Sequence, residues 1–178
     1  MDKTEKCIKE NLIYKGKILS LYRDEVKVPS GNISYREIVR HNGGVCALAV
    51  HNNEIYFVKQ YRYAYKMELL ELPAGKMEEN ETKEESIRRE LREEIGFISK
   101  DLKYIGYMYP SPGYTDEVIH LFSSLDNDIT DTDFDSDEFL DIIHLPIKKA
   151  YEMLDNNEIV DAKSVILLQK LRKVLLDD

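Results

Sequence analysis

A single mixed α/β domain, preceded by a small strand-rich segment, is the fold class this sequence predicts. Three observations lead there. Residues 19–39 alternate apolar and polar side chains at a period of two, as half-buried strands do. Residues 45–50 (VCALAV) form a short continuously apolar run, as a strand covered on both faces does. From residue 79 onward the apolar period lengthens to that of a helix, and strands and helices then interleave to the end of the chain.

Leu19, Tyr22, Val26 and Val28, then Ile33, Tyr35, Ile38 and Val39, mark two strands, with Pro29-Ser30-Gly31-Asn32 as the turn between them. The opening segment, residues 1–41, is too thinly apolar to hold a core alone and should lie against the main domain or another subunit. Residues 42–178 make the main domain. There the 45–50 strand turns through His51-Asn52-Asn53-Glu54 into a hairpin partner over 55–60. Tyr61-Arg62-Tyr63-Ala64-Tyr65 suits either ring stacking or a strand end, and 67–72 is a further strand closed by Pro73-Ala74-Gly75. The helix over 79–95 shows Ile87, Leu91 and Ile95 as its apolar seam, Thr82 and Glu85 as a capping box, and Gly96 as its stop. Strands follow near 101–109 and 117–124, then an acidic loop over 126–138 and a last strand over 139–145. One helix begins after Pro146 and another covers 161–176.

Composition narrows the function. A net charge of −9 argues against a phosphate-backbone groove, which needs a basic face, so no nucleic-acid partner is expected. An acidic chain that handles phosphates needs cations between the like charges. Two unpaired cysteines, Cys7 and Cys46, fit a reducing compartment. There is neither a secretory h-region nor an apolar run of the roughly 18–20 residues a membrane span needs. A cytoplasmic protein without membrane attachment is therefore expected.

The chemistry concentrates on the 79–95 helix. Glu90, Glu93 and Glu94 stand at i, i+3 and i+4 and share one helix face. Like charges so spaced cost a helix a few tenths of a kcal/mol, and a hard divalent cation with oxygen ligands would offset that cost. Four histidines are scattered without ligand spacing. Asp131-Thr132-Asp133 opens like a calcium loop, but Ser136 and Ile142 occupy positions that need Gly and Glu.

Written out, the stretch is Gly75, five residues, Glu81, seven residues, Arg89-Glu90-Leu91, one residue, Glu93-Glu94, one residue, Gly96-Phe97. This resembles the Nudix box of the Nudix hydrolases, departing only at Phe97, where the family prefers an aliphatic residue. The resemblance implies an α/β/α sandwich with a mixed sheet and a loop–helix–loop box. It also implies hydrolysis of a nucleoside diphosphate linked to another moiety, with Mg²⁺ or Mn²⁺. Matched by position, Glu90, Glu93, Glu94 and the Ala74 carbonyl are expected to hold the metal. Arg89 is expected to orient the carboxylates, and Glu81 to support the box or hold a looser metal.

Gln60-Tyr61-Arg62 and the run from Glu68 to Gly75 resemble the approach to the box in the ADP-ribose pyrophosphatase subfamily, as does Pro112, sixteen residues beyond Gly96. Ser111-Pro112-Gly113 followed by Asp116-Glu117 is similar to the same group. The resemblance implies ADP-ribose as substrate, with AMP and ribose 5-phosphate as products, and Arg62, Glu71, Pro112 and Glu117 as substrate contacts. Tyr114 stands where the subfamily is often small. Glu138 is the expected general base, with Asp137 second. The N-terminal strands resemble the subfamily's dimerisation region, which implies a homodimer. The competing expectations are another nucleoside diphosphate sugar, such as an ADP-sugar or GDP-mannose, and a non-catalytic nucleotide sensor.

Overall fold

The computed structural model describes residues 2–133 and 139–176. The chain forms two compact units, one of residues up to Gly43 together with Tyr109–Val118, the other of Gly44–Met108 together with Ile119 onward. The first unit therefore takes in a second, distant piece of chain that a break at residue 41 does not include.

In the first unit, β1 (Lys6–Lys9), β2 (Leu12–Lys15), β3 (Leu19–Lys27) and β4 (Ile33–His41) form an antiparallel sheet. The nine residues of β3 pair along their whole length with β4, while β1 and β2 lie end to end on its other edge, opposite Glu25–Lys27 and Ser20–Tyr22. Gly31, at φ +91°, closes the β3–β4 turn where the sequence predicts one. The returning piece is stitched to β4 by the Val39 N–H to the Tyr114 carbonyl at 2.7 Å and the His41 N–H to Asp116 Oδ1 at 2.9 Å.

The second unit is built on β5 (Gly44–His51) and β6 (Glu54–Arg62), joined by Asn52 and Asn53, both left-handed, as a tight hairpin requires. β7 (Met67–Glu71) and β8 (Ala74–Lys76) follow, then α1 (Lys83–Ile95), β9 (Phe97–Ser99), β10 (Lys103–Met108), β11 (Ile119–Ser124), β12 (Asn127–Ile129), β13 (Leu140–Pro146), α2 (Ile147–Asp155) and α3 (Ala162–Leu176). The main sheet runs β10-β11-β5-β6-β13, with β11 parallel to β5 and the other pairs antiparallel, which makes it mixed. β5 and β6 pair only over 49–51 and 54–56 and then part. β7 fills the gap along β6 and β8 fills it along β5, so Leu72-Pro73 lies where the two central strands diverge.

β5 is buried on both faces, and its alternate residues serve two cores. Val45, Ala47 and Ala49 pack with Ile87, Leu91 and Ile95 of α1 and with Phe97 and Phe122. Cys46, Leu48 and Val50 pack with Ala150, Tyr151 and Leu154 of α2 and with Leu167, Leu168 and Leu171 of α3. This is an α/β/α sandwich, and the expected helix seam is the face α1 buries. Pro146 is the N-cap of α2, so the helix begins directly after it as expected. One detail differs from the pattern reading. β12 lies inside the acidic loop, where Asn127 is buried by donating to the Val50 carbonyl at 2.9 Å, a contact that local composition does not reveal. No helix among the described residues is long and apolar enough to cross a membrane.

Candidate active site

The site grows from the local rules of α1. Thr82 accepts from the Glu85 N–H at 3.2 Å, and the Glu85 carboxylate accepts from the Thr82 N–H at 2.8 Å, so the capping box satisfies two otherwise orphaned donors. At the other end Gly96, left-handed at φ +66°, donates to the Arg92 carbonyl at 3.1 Å and ends the helix. A Cβ there would meet the Thr130 carbonyl oxygen at 2.4 Å, so glycine is needed for space as well as for conformation.

Between these stops, Arg89 is the hub. Its Nε and Nη2 donate to the Glu81 carboxylate at 3.0 and 3.1 Å, and its Nη1 donates to Glu90 at 2.8 Å and Glu93 at 3.0 Å. Nη2 also reaches the Lys76 carbonyl at 3.2 Å, and Ser86 secures Glu81 from its other side at 2.8 Å. The hydrogen bonds that Arg89 donates to Glu81 drive its pKa up, beyond what desolvation takes away, with Glu90 and Glu93 adding to the rise. The same bonds hold the Glu81 carboxyl below the usual carboxylate range. Arg92 approaches Glu93 from outside at 3.4 Å.

Glu90 and Glu94 are the buried members of the set, and both look toward the β7–β8 segment. Glu94 accepts from the Ala74 N–H at 2.9 Å. The Glu90 carboxylate lies so close over Gly75 that a Cβ at that position would sit 1.9 Å from Oε1. The box's first glycine and its metal-type carboxylates are thus one contact.

The donor chemistry suits a hard cation: buried carboxylate oxygens on one helix face, one guanidinium for the three carboxylates it holds, and a backbone turn pressed against them. Glu90, Glu93 and Glu94 are the side chains whose chemistry fits it. A second cluster, Cys7, Glu10 and Asp24 in the first unit, has ligand atoms within 4.8 Å of one another. Arg40 bridges its two carboxylates, at 3.2 and 3.6 Å, and also reaches Asp116 at 3.4 Å.

The remaining expected residues divide by location. Arg62 and Glu71 face each other across β6 and β7 in a bidentate pair at 2.6 and 2.7 Å. Lys163 of α3 donates to the same buried carboxylate, a partner the sequence pattern does not signal. Burial pushes the Glu71 carboxyl up, and the Arg62 bonds with the Lys163 charge outweigh it, leaving it below its ordinary value. Pro112 and Glu117 belong to the first unit; Pro112 is exposed on a turn closed by the Tyr114 N–H to the Ser111 carbonyl at 3.2 Å. Glu138 and Asp137 lie outside the described residues.

The NUDIX domain family model matches residues 40–168 of this chain. The chain belongs to the Nudix family. Among its relatives, the ADP-ribose pyrophosphatase of Bacillus subtilis (strain 168) is 37% identical over 171 residues, covering 94% of this Nudix chain and 92% of the relative. The methanol dehydrogenase activator of Bacillus methanolicus is 38% identical with the same coverage. A GDP-mannose pyrophosphatase of Yersinia enterocolitica serotype O:8 / biotype 1B (strain NCTC 13174 / 8081) is 31% identical over 145 residues, 75% of each chain. A crystal structure of an ADP compounds hydrolase superposes with a TM-score of 0.87 over 97% of this chain and 95% of that one, at 18% identity, and shares the Nudix fold.

Proposed function

We propose that the protein hydrolyses the diphosphate bond of ADP-ribose, releasing AMP and ribose 5-phosphate, with Mg²⁺ as the physiological cation and Mn²⁺ as a working substitute. The observation that carries this reading is the assembled box: Arg89 ties Glu81, Glu90 and Glu93 together while Glu94 and Glu90 brace the turn at Ala74-Gly75. The name of the Bacillus subtilis relative, aligned over nearly the whole chain, supports the choice of ADP-ribose.

Glu90, Glu93, Glu94 and the Ala74 carbonyl would hold the cation, which supplies positive charge against the diphosphate oxygens and acidifies the attacking water. Arg89 aims the Glu90 and Glu93 carboxylates before any ligand arrives, so little reorganisation remains for the reaction. Arg62 spends its Nε–Nη2 edge on Glu71 and retains the opposite edge, on a side chain 39% exposed, to donate to a phosphate. Glu138 is the proposed base. A cytoplasmic location accompanies this reading, supported by two free thiols, Cys7 and Cys46.

The GDP-mannose pyrophosphatase names among the relatives favour a second reading on the same chemistry. A non-catalytic sensor has less support, because this box keeps every carboxylate. Purified protein with ADP-ribose, ADP-sugars or GDP-mannose, Mg²⁺ and ¹⁸O-labelled water separates them. ADP-ribose should give AMP and ribose 5-phosphate with label on one product; equal or better turnover of GDP-mannose would overturn the substrate choice. Glu94→Gln should cost more than the roughly 10–100-fold typical of a metal's outer partners while leaving the circular dichroism unchanged.

A further inference from the structure

The segment from Glu71 to Gly75 is held from two sides, and the box explains only one. From the α1 side come Glu94, on the Ala74 N–H, and Glu90, over Gly75. From the opposite face comes the first turn of α3. Lys163 donates to Glu71, and Ser164 Oγ accepts the next N–H along, that of Leu72, at 2.7 Å. The same Ser164 hydroxyl donates to Asp161 at 2.6 Å, and Lys163 stands 3.0 Å from Asp161, so each member is fixed by another. Glu71, Leu72, Lys163 and Ser164 are all buried. Pro73 follows, and its carbonyl accepts from the Ala47 N–H at 3.0 Å on β5. Every residue from Glu71 to Gly75 is thereby anchored, in the place where β5 and β6 have parted; Glu71 also pairs with Val58 of β6 and Ala74 with Cys46 of β5, which leaves Leu72-Pro73 as the stretch outside the ladders.

The ordering of charges is also specific. Arg62, Glu71, Lys163 and Asp161 alternate in sign, so the buried Glu71 carboxylate keeps a cationic partner even when Arg62 turns toward an anionic ligand.

We infer that Lys163 and Ser164 are positioning residues: they hold the Glu71–Leu72 backbone so that the Ala74 carbonyl stays in register with Glu90 and Glu94, and they leave Arg62 available to substrate. This rests on the metal-dependent reading above. Neither residue touches the reacting atoms. Both act from a helix on the far side of the sheet from α1, and each lies 92 residues along the chain from the residue it holds.

The test is Mn²⁺ binding to the substrate-free protein, followed by electron paramagnetic resonance, alongside ADP-ribose kinetics. Lys163→Met should weaken Mn²⁺ binding about tenfold, the scale of losing an outer partner of a metal site, and should lower kcat as well as raise KM. Lys163→Arg, which keeps the charge, should recover part of both. Leu171→Ala, a cavity in the same helix away from the turn, controls for lost stability and should leave Mn²⁺ affinity at the wild-type value. If Lys163→Met does not fold, Ser164→Ala carries the same expectation by removing one hydroxyl. Wild-type Mn²⁺ affinity in Lys163→Met and Ser164→Ala, with Glu94→Gln impaired, overturns the inference alone. Wild-type Mn²⁺ affinity in Glu94→Gln as well overturns the metal reading on which it stands.

Discussion

At the scale of single residues, the strongest constraint is the absence of a side chain. Gly75 has a carboxylate where its Cβ would be, so Gly75→Ala must displace Glu90 or the turn itself. The expected result is a loss of about 1–3 kcal/mol in urea unfolding, typical of overpacking, with kcat at saturating Mg²⁺ falling at least about tenfold. Full activity in that variant would show that the Glu90 carboxylate need not sit where it does. The shared face of Glu90, Glu93 and Glu94 was legible in the sequence because a helix converts spacing directly into a face, whereas the part expected of Arg89 rested on the resemblance to the Nudix box. Lys163 and Ser164 were not legible. Their partners are on a strand end far away in the chain, and a lysine followed by a serine at a helix start reads as an ordinary solvated turn.

At the scale of elements, the box and the β7 strand end share an electrostatic signature. Hydrogen bonds from Arg89 depress the Glu81 carboxyl, and Arg62 with Lys163 depresses that of Glu71 against the opposing effect of burial. A carboxyl lowered in the folded state binds its proton less readily than in the unfolded chain, so both groups favour folding above the ordinary glutamate value of about 4.3. That contribution is complete at neutral pH and fades as pH falls through the depressed folded values. Urea midpoints should therefore be flat across this source from about pH 6 to 8 and decline below roughly pH 4. Replacing Glu81 and Glu71 together by Gln should flatten the decline. Element boundaries around α1 followed from its caps, which are local. β8, β9 and β12 are three residues each and escaped pattern reading, since a period cannot be counted over so short a run.

At the scale of the whole molecule, the first unit keeps Ile8, Leu12, Ile13, Tyr14, Ile18, Ile33 and Tyr35 at least 47% exposed, an apolar surface that a solvated sheet has no use for. We propose a homodimer that covers it. Sedimentation velocity at micromolar concentration should give a species of twice 20.8 kDa, and a monomer would sink the proposal. The sequence divides at one point, whereas the first unit is finished by Tyr109–Val118, because pairing across a long separation leaves no local mark. That return has a consequence in time. During synthesis β3 and β4 leave the ribosome early, yet the bond from His41 to Asp116 closes across 75 residues. At roughly 5–20 residues per second the edge of β4 waits about 4–15 s for its partner. For that interval the nascent chain carries an unfinished sheet edge, and whatever shields it then is as much a part of this protein's design as the bonds that replace it.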